Sequence, residues 1–191
     1  AAGTVSITVN AVNDTPVADA QAVTTDEDVP ITITLSGSDV DGNPLTFAIS
    51  TPPASGSLGT ITPLTATTAS VVYTPNSNSN GSDSFEFTAN DGTATSLAAA
   101  VSITLTPIND TPAANAQSLT TPEDNSLLIT LTGADSDPEV AQTLTFAIAS
   151  GPANGSLQGF NAATGAVTYV PNADYFGSDS FTFSVTDDAA A

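Results

Sequence analysis

The feature that most constrains this chain is its self-similarity. Val12-Asn13-Asp14-Thr15-Pro16 returns 96 positions later as Ile108-Asn109-Asp110-Thr111-Pro112. The same shift carries Thr24-Thr25 onto Thr120-Thr121, Glu27-Asp28 onto Glu123-Asp124, and Asp39 and Asp41 onto Asp135 and Asp137. An insertion near Pro138 to Gln142 widens the shift to 99, so that Leu45-Thr46-Phe47-Ala48-Ile49 meets Leu144-Thr145-Phe146-Ala147-Ile148. By Tyr73 and Tyr169 the shift is 96 again, and Gly81-Ser82-Asp83-Ser84-Phe85 falls on Gly177-Ser178-Asp179-Ser180-Phe181. Self-similarity at a fixed period marks one structural unit used repeatedly. In a chain of 191 residues it leaves room for two units, each large enough to bury a core of its own.

Within each copy the apolar residues alternate with polar ones. Ile31, Ile33 and Leu35 are separated by Thr32 and Thr34, and Val101, Ile103 and Leu105 by Ser102 and Thr104. Leu45, Phe47 and Ile49, then Val71 and Tyr73, then Phe85 and Phe87 keep the same period, as do Val5, Ile7 and Val9. A period of two puts every apolar side chain on one face of a half-buried strand. Asp41-Gly42-Asn43-Pro44, Pro52-Pro53, Asn76 to Gly81 and Asn90-Asp91-Gly92 supply turns between these runs. The Ala-rich stretch Leu97 to Ala100 is too short to nucleate a helix. About seven short strands in a copy with this turn spacing read as an immunoglobulin-like antiparallel sandwich, with Phe85, Phe87, Phe181 and Phe183 in the cores.

Composition excludes several classes of function. The chain has 20 Asp and Glu and no Lys, Arg or His, a formal charge of −20 without internal compensation. Binding to nucleic acid or to an anionic membrane needs the basic side chains it lacks. Cys is absent, so no disulfide braces the fold, and divalent cations are the natural substitute. No apolar run reaches the ~18 residues of a transmembrane helix. The sequence has no Met and no basic leader, and reads as a processed chain or an excerpt from a longer one. Ser and Thr are plentiful, but a nucleophile needs a base, and neither His nor Lys is present. A paired-carboxylate glycosidase is the one familiar mechanism left. The acids recur in register in both copies and no Trp is available as a sugar platform, so the chain reads as a non-enzyme.

The acids concentrate in the turns, where carboxylates, amide carbonyls and a bending backbone can surround a hard cation. Their order resembles the cadherin-like repeats of large bacterial extracellular proteins. Thr121-Pro122-Glu123-Asp124 and Asp26-Glu27-Asp28 resemble the Pro-Glu-Asn element before the second strand. Asp39-Val40-Asp41 and Asp135-Ser136-Asp137 resemble the Asp-x-Asp element after it. Asn90-Asp91-Gly92, with Asp187 in the second copy, resembles Asp-x-Gly, while Asn13-Asp14 and Asn109-Asp110 resemble the inter-repeat linker. The likeness spans nearly the whole chain. The Leu-Asp-Arg-Glu element of animal cadherins is missing, and Asp188 stands where the first copy has Gly92.

The resemblance implies two cadherin-like or immunoglobulin-like modules, residues 13–108 and 109–191, and Ca²⁺ where modules meet. One ligand set would be Glu27, Asn109, Asp110, Asp135, Asp137 and Asp187, with Asp28 as a lesser member. A second would be Asn13, Asp14, Asp39, Asp41 and Asp91, completed by a preceding repeat, and Glu123 with Asp124 would serve a following one. Asp83, Asp179, Asp174 and Glu86 are assigned ordinary structural roles instead. The expected function is an extracellular, calcium-rigidified segment of a fibre or adhesin stalk, with adjacent copies as partners. A glycan- or cell-binding adhesin domain is the alternative, although Tyr175-Phe176 is the only aromatic pair in a loop and is expected to pack beneath its turn.

The phase of the repeat adds a further expectation. Thr4 to Val9 aligns with Ala100 to Leu105, so residues 1–12 carry the last strand of a preceding or neighbouring repeat, and the second copy lacks its own within this chain. Either the sequence is a window on a longer covalent array, or Thr4 to Val9 completes the sandwich of a neighbouring subunit by strand donation.

Overall fold

The computed structural model describes residues 2–135 and 142–188. The chain divides into two compact units, Ala1–Ile108 and Asn109–Ala191. Both are built from strands and turns, without a helix among the described residues.

Unit 1 holds β1 (Val17–Ala18), β2 (Gln21–Asp26), β3 (Ile31–Ser38), β4 (Thr46–Thr51), β5 (Gly56–Leu58), β6 (Thr62–Pro63), β7 (Thr68–Pro75), β8 (Gly81–Asn90) and β9 (Ala99–Thr106). One sheet runs β1-β3-β7-β5 with β6 also on β7, and the other runs β2-β9-β8-β4. The alternating residues of β3, β7, β8 and β9 turn inward together. Ile33, Leu35, Val71, Tyr73, Phe85, Phe87, Val101, Ile103 and Leu105 form the core between the sheets. Phe47 packs on Phe87 with ring centroids 6.0 Å apart and planes tilted by 53°, a favourable aromatic arrangement.

One pairing departs from the antiparallel expectation. After β1 pairs with the end of β3, the chain crosses to the opposite sheet and β2 runs parallel to β9, from Gln21 opposite Val101 to Asp26 opposite Thr106. Two polar anchors hold the crossing: Ser36 Oγ donates to Asp19 Oδ2 at 2.8 Å, and Gln21 Nε2 donates to the Thr34 carbonyl at 3.0 Å. The first and last long strands of unit 1 are therefore direct neighbours.

Unit 2 holds β10 (Ala113–Ala114), β11 (Leu127–Thr130), β12 (Gly133–Ala134), β13 (Thr145–Ser150), β14 (Gly155–Asn161), β15 (Ala166–Pro171) and β16 (Thr182–Thr186). It repeats the β11-β15-β14 layer and the β13-β16 pair, over a core of Ile129, Leu131, Phe146, Val167 and Val185. Among the described residues no strand corresponds to β9, and Gln117 to Pro122, the counterpart of β2, is not a strand. Phe181 and Phe183 are only half-buried where Phe85 and Phe87 are 1% and 0% exposed.

The alternation at Thr4 to Val9 does not produce a half-buried strand in this structure. The segment is unpaired, and Val5, Ile7 and Val9 are 85%, 82% and 89% exposed. Alternation specifies a face, but a strand also needs a ladder partner.

Candidate metal centre

Six residues of unit 1 converge where β3 and β8 end. Asn13 Nδ2 donates to Asp91 Oδ2 and to the Asp14 carbonyl, both at 2.9 Å. The Asp14 amide donates to Asp41 Oδ2 at 2.8 Å, and Asp39 Oδ1 accepts from the amides of Asp41 at 2.9 Å and Asn43 at 3.3 Å. Asn43 Nδ2 closes the ring by donating to Asn13 Oδ1 at 3.3 Å. The linker, the turn after β3 and the turn after β8 are thus stitched by the residue types favoured in turns. Gly42 and Gly92 supply left-handed backbone there, at φ 75° and 95°.

The carboxylates in this cluster are not equivalent. Amides of Ala94 and Thr93, each 2.6 Å from Asp91 Oδ1, together with Asn13, hold the Asp91 carboxyl below the usual carboxylate range. Asp39 differs: its Oδ2 is shut away from solvent with no hydrogen-bond partner. A buried, unsatisfied carboxylate oxygen costs on the order of 1–3 kcal/mol or more, and a cation would relieve it. The side-chain atoms this set can offer a metal are all oxygens, from carboxylates or Asn side-chain carbonyls, which fits a hard divalent ion. Among the described residues, no group of three acidic side chains converges closely enough to hold a metal ion as it stands. The carboxylates spread because those of Asp39, Asp41 and Asp91 turn toward nearby N–H groups and four negative charges repel.

Unit 2 repeats the frame. Asn109 Nδ2 donates to Asp187 Oδ2 at 3.3 Å, as Asn13 does to Asp91, and Gln142 Nε2 donates to Asn109 Oδ1 at 2.7 Å, as Asn43 does to Asn13. Asp188, in the position of Gly92, uses Oδ1 to hold the Thr143 amide at 2.9 Å. Asp110, Asp135 and Asp187 are half-buried here, and Asp137 lies outside the described residues. Asn43 and Gln142 were not singled out from sequence. Their equivalence appears only once the 99-residue shift is applied through the insertion.

The remaining candidates sit elsewhere. Glu27 is 4% exposed at the other end of unit 1, where its Oε1 accepts the Ile108 amide at 2.7 Å and its own amide donates to the Thr106 carbonyl. Glu123, its counterpart, is exposed. Asp28 and Asp124 serve turns: each is left-handed, at φ 58° and 62°, and each accepts a distant amide, from Asn78 at 3.1 Å and Asp174 at 2.9 Å. Asp and Asn tolerate this conformation better than other non-glycine residues.

Asp83 and Asp179 hold the sandwiches themselves. Tyr73 Oη donates to Asp83 Oδ2, which also accepts the Ser55 amide while Oδ1 accepts those of Ala54 and Ser84. Asp179 repeats this with Tyr169 and the amides of Ala153, Asn154 and Ser180. Tyr175, as expected, packs at its turn, donating to the Ser178 carbonyl at 2.7 Å, whereas Phe176 is 84% exposed.

Residues 13–107 match the family model of the bacterial cadherin-like domain, and residues 109–191 that of the bacterial Ig domain. No curated protein matches the chain. Among solved structures, an endo-fucoidan hydrolase from glycoside hydrolase family 107 is 22% identical over 91% of this chain and 27% of its own, with a TM-score of 0.46. The ectodomain of human desmocollin-1 is 13% identical over 95% of this chain and 36% of its own, TM-score 0.49. The Yersinia pseudotuberculosis adhesin InvE is 14% identical over 92% of this chain and 55% of its own, TM-score 0.38. The chain spans about a quarter of the hydrolase and just over half of the adhesin structure.

Proposed function

We propose that this chain, a bacterial cadherin-like domain followed by a bacterial Ig domain, is an extracellular structural segment of a fibre or adhesin stalk that calcium stiffens. Both domain families consist mainly of structural modules, and among the described residues no helix is long and apolar enough to cross a membrane. The observation that carries the calcium reading is Asp39 Oδ2, buried and unsatisfied inside a cluster of carboxylates and Asn side chains in a chain with a charge of −20.

In unit 1 the ion would be held by Asp39 with Asn13, Asp14, Asp41 and Asp91. In unit 2 the corresponding ligands are Asn109, Asp110, Asp135, Asp137 and Asp187. Glu27, Asp28, Glu123 and Asp124 belong to the opposite pole of each unit and are proposed as ligands there, with Glu27 the foremost because it is buried. Bound calcium supplies positive charge that neutralises the carboxylates and fixes the linker residues against the turns. Adjacent copies of the same repeat are the proposed partners, and the cell surface or extracellular medium the proposed location.

Titration calorimetry tests the reading. Saturable Ca²⁺ binding with Kd on the order of 10⁻⁴–10⁻³ M, the range of extracellular modules, is the expected result. Absence of binding heat and of any rise in Tm at millimolar Ca²⁺ would overturn it.

A further inference from the structure

Two places in the chain join Asn directly to Gly, Asn80-Gly81 and Asn154-Gly155, and the fold treats them differently. The pair is reactive because glycine has no side chain to shield its amide nitrogen. That nitrogen can close a five-membered ring on the carboxamide carbon of the preceding Asn, at a rate set by how freely the Asn turns.

Asn154 is locked. Its amide donates to Asp179 Oδ2 at 2.9 Å, and its carbonyl accepts the Asn172 amide at 2.9 Å. Its Nδ2 donates to Tyr175 Oη at 3.1 Å. Gly155 opens β14 and lies so close to the Tyr169 ring that a Cβ there would collide with it. Turning the Asn154 carboxamide onto the Gly155 nitrogen breaks the Tyr175 bond and pulls against the backbone anchors.

Asn80 is held far less. It ends the turn between β7 and β8, outside any strand and half-buried. The bonds that shape this turn go to its other members: the Ser79 amide donates to the Asn76 carbonyl at 3.2 Å, the Asn76 amide to the Ser55 carbonyl at 2.9 Å, and the Asn78 amide to Asp28. Among the described residues the Asn80 carboxamide has no hydrogen-bond partner. Gly81 is exposed, at φ 88°, on the first rung of β8, where local opening costs least. The two Asp-Gly pairs of the acidic cluster, which would close the same ring with loss of water, are shielded. The Gly42 amide donates to the Asp39 carbonyl at 3.2 Å and the Gly92 amide to Asn90 Oδ1 at 2.7 Å. The Asp91 carboxyl, held below its usual range, also stays ionised and resists attack.

We infer that Asn80 is a site of covalent self-modification, deamidation through a cyclic imide. The Gly81 nitrogen gives its proton to water and attacks Asn80 Cγ; the Cγ–Nδ2 bond breaks and ammonia leaves. Water then opens the ring at either carbonyl. Opening at Cγ leaves Asp, and opening at the main-chain carbonyl leaves isoaspartate, with the chain continued through the former side chain. Either product adds one negative charge to the turn. Isoaspartate also puts an extra carbon into the main chain just ahead of β8, so Gly81 opposite Leu105 and Ser82 opposite Thr104 cannot both keep their register. The inference concerns one turn of unit 1 and is independent of the calcium reading.

Mass spectrometry tests it. The chain is kept in warm, mildly alkaline water enriched in heavy oxygen, one sample folded and one in urea, and elastase peptides are followed with time. The product is heavier than Asn by about 1 Da and carries the heavy oxygen besides. Dividing each folded rate by the rate of the same peptide in urea removes the effect of local sequence. The expected result is that folding slows Asn154 at least tenfold more than it slows Asn80, with isoaspartate among the Asn80 products. Tyr175→Phe should speed the reaction at Asn154 and leave Asn80 unchanged. Equal protection of the two sites by folding, or greater protection of Asn80, would overturn the inference.

Discussion

Tyr73 Oη lies 2.8 Å from Asp83 Oδ2, and 96 positions later Tyr169 Oη lies 2.9 Å from Asp179 Oδ2. This bond ties β7 to the start of β8 in unit 1 and β15 to the segment just before β16 in unit 2, and the same carboxylate gathers three backbone amides. Removing the hydroxyl leaves a largely buried acceptor without its side-chain donor. Tyr73→Phe should destabilise unit 1 by about 1–3 kcal/mol, read by urea unfolding. Tyr169→Phe should cost less, since Tyr169 is half-buried whereas Tyr73 is fully enclosed.

The same pair contributes to the dependence of stability on pH at both the acid and the alkaline end. Burial alone would raise the Asp83 carboxyl, but hydrogen bonds from Tyr73 and the Ala54, Ser84 and Ser55 amides outweigh it and hold it below the usual range. Asp179 is lowered in the same way. Their contribution is therefore complete above the unfolded Asp value of about 3.9 and is lost as pH falls through the lower folded value. Burial, reinforced by Asp83, pushes the Tyr73 phenol up, so its contribution is complete below about pH 10 and is lost as pH rises above it. Melting curves in fixed salt should show a plateau at neutral pH and two falling limbs. Tyr73→Phe should flatten both.

A methyl group tests how closely the start of β5 or β14 rests on that ring. A Cβ at Gly56 or at its counterpart Gly155 would collide with the Tyr73 or Tyr169 ring. Neither glycine has positive φ, so the effect is steric. Gly56→Ala should lower stability by about 1–3 kcal/mol, as overpacking does, and Gly59→Ala, which meets only ordinary contacts, should be milder.

Core truncation should separate the two units. Phe87→Ala removes a fully enclosed ring and should cost about 3–5 kcal/mol in chemical denaturation. Phe183→Ala removes a half-buried one and should cost clearly less.

Calcium should act on unit 1 through Asp39. At 100 times Kd the ion adds about 2.7 kcal/mol to the stability of the unit that binds it. Asp39→Asn should weaken binding at least tenfold in calorimetry while leaving the calcium-free melting temperature unchanged or raised, because it removes a charge from an unsatisfied buried atom. Asn43→Ala should weaken it less, since Asn43 only steadies Asn13.

The sequence showed the repeat, the strands and their inward faces because all three are local or periodic signals: the alternation at Ile33, Leu35, Val101 and Ile103 names the core directly. It also brought Asn13, Asp39, Asp41 and Asp91 to notice, and the structure places them in one cluster. The parallel pairing of β2 with β9 was hidden, because a period of two is the same whichever way the neighbour runs. The turn bonds of Asp28 and Asp124 were hidden as well, because each carboxylate accepts an amide 50 positions downstream, which no local pattern reveals. The tyrosine partners of Asp83 and Asp179 were concealed for the same reason. Thr4 to Val9 shows the converse, a clear pattern with no neighbour to act on.

The adjacency of β2 and β9 has a mechanical consequence for any array built from such units. Tension along the chain enters unit 1 on the N-terminal side and leaves on the C-terminal side. Past the two-residue β1, it passes through two parallel strands bonded to each other from Gln21–Val101 to Asp26–Thr106. Opposite pulls on parallel neighbours load all six residue pairs in shear at once, instead of peeling them apart one after another. A unit wired this way yields late and abruptly under force.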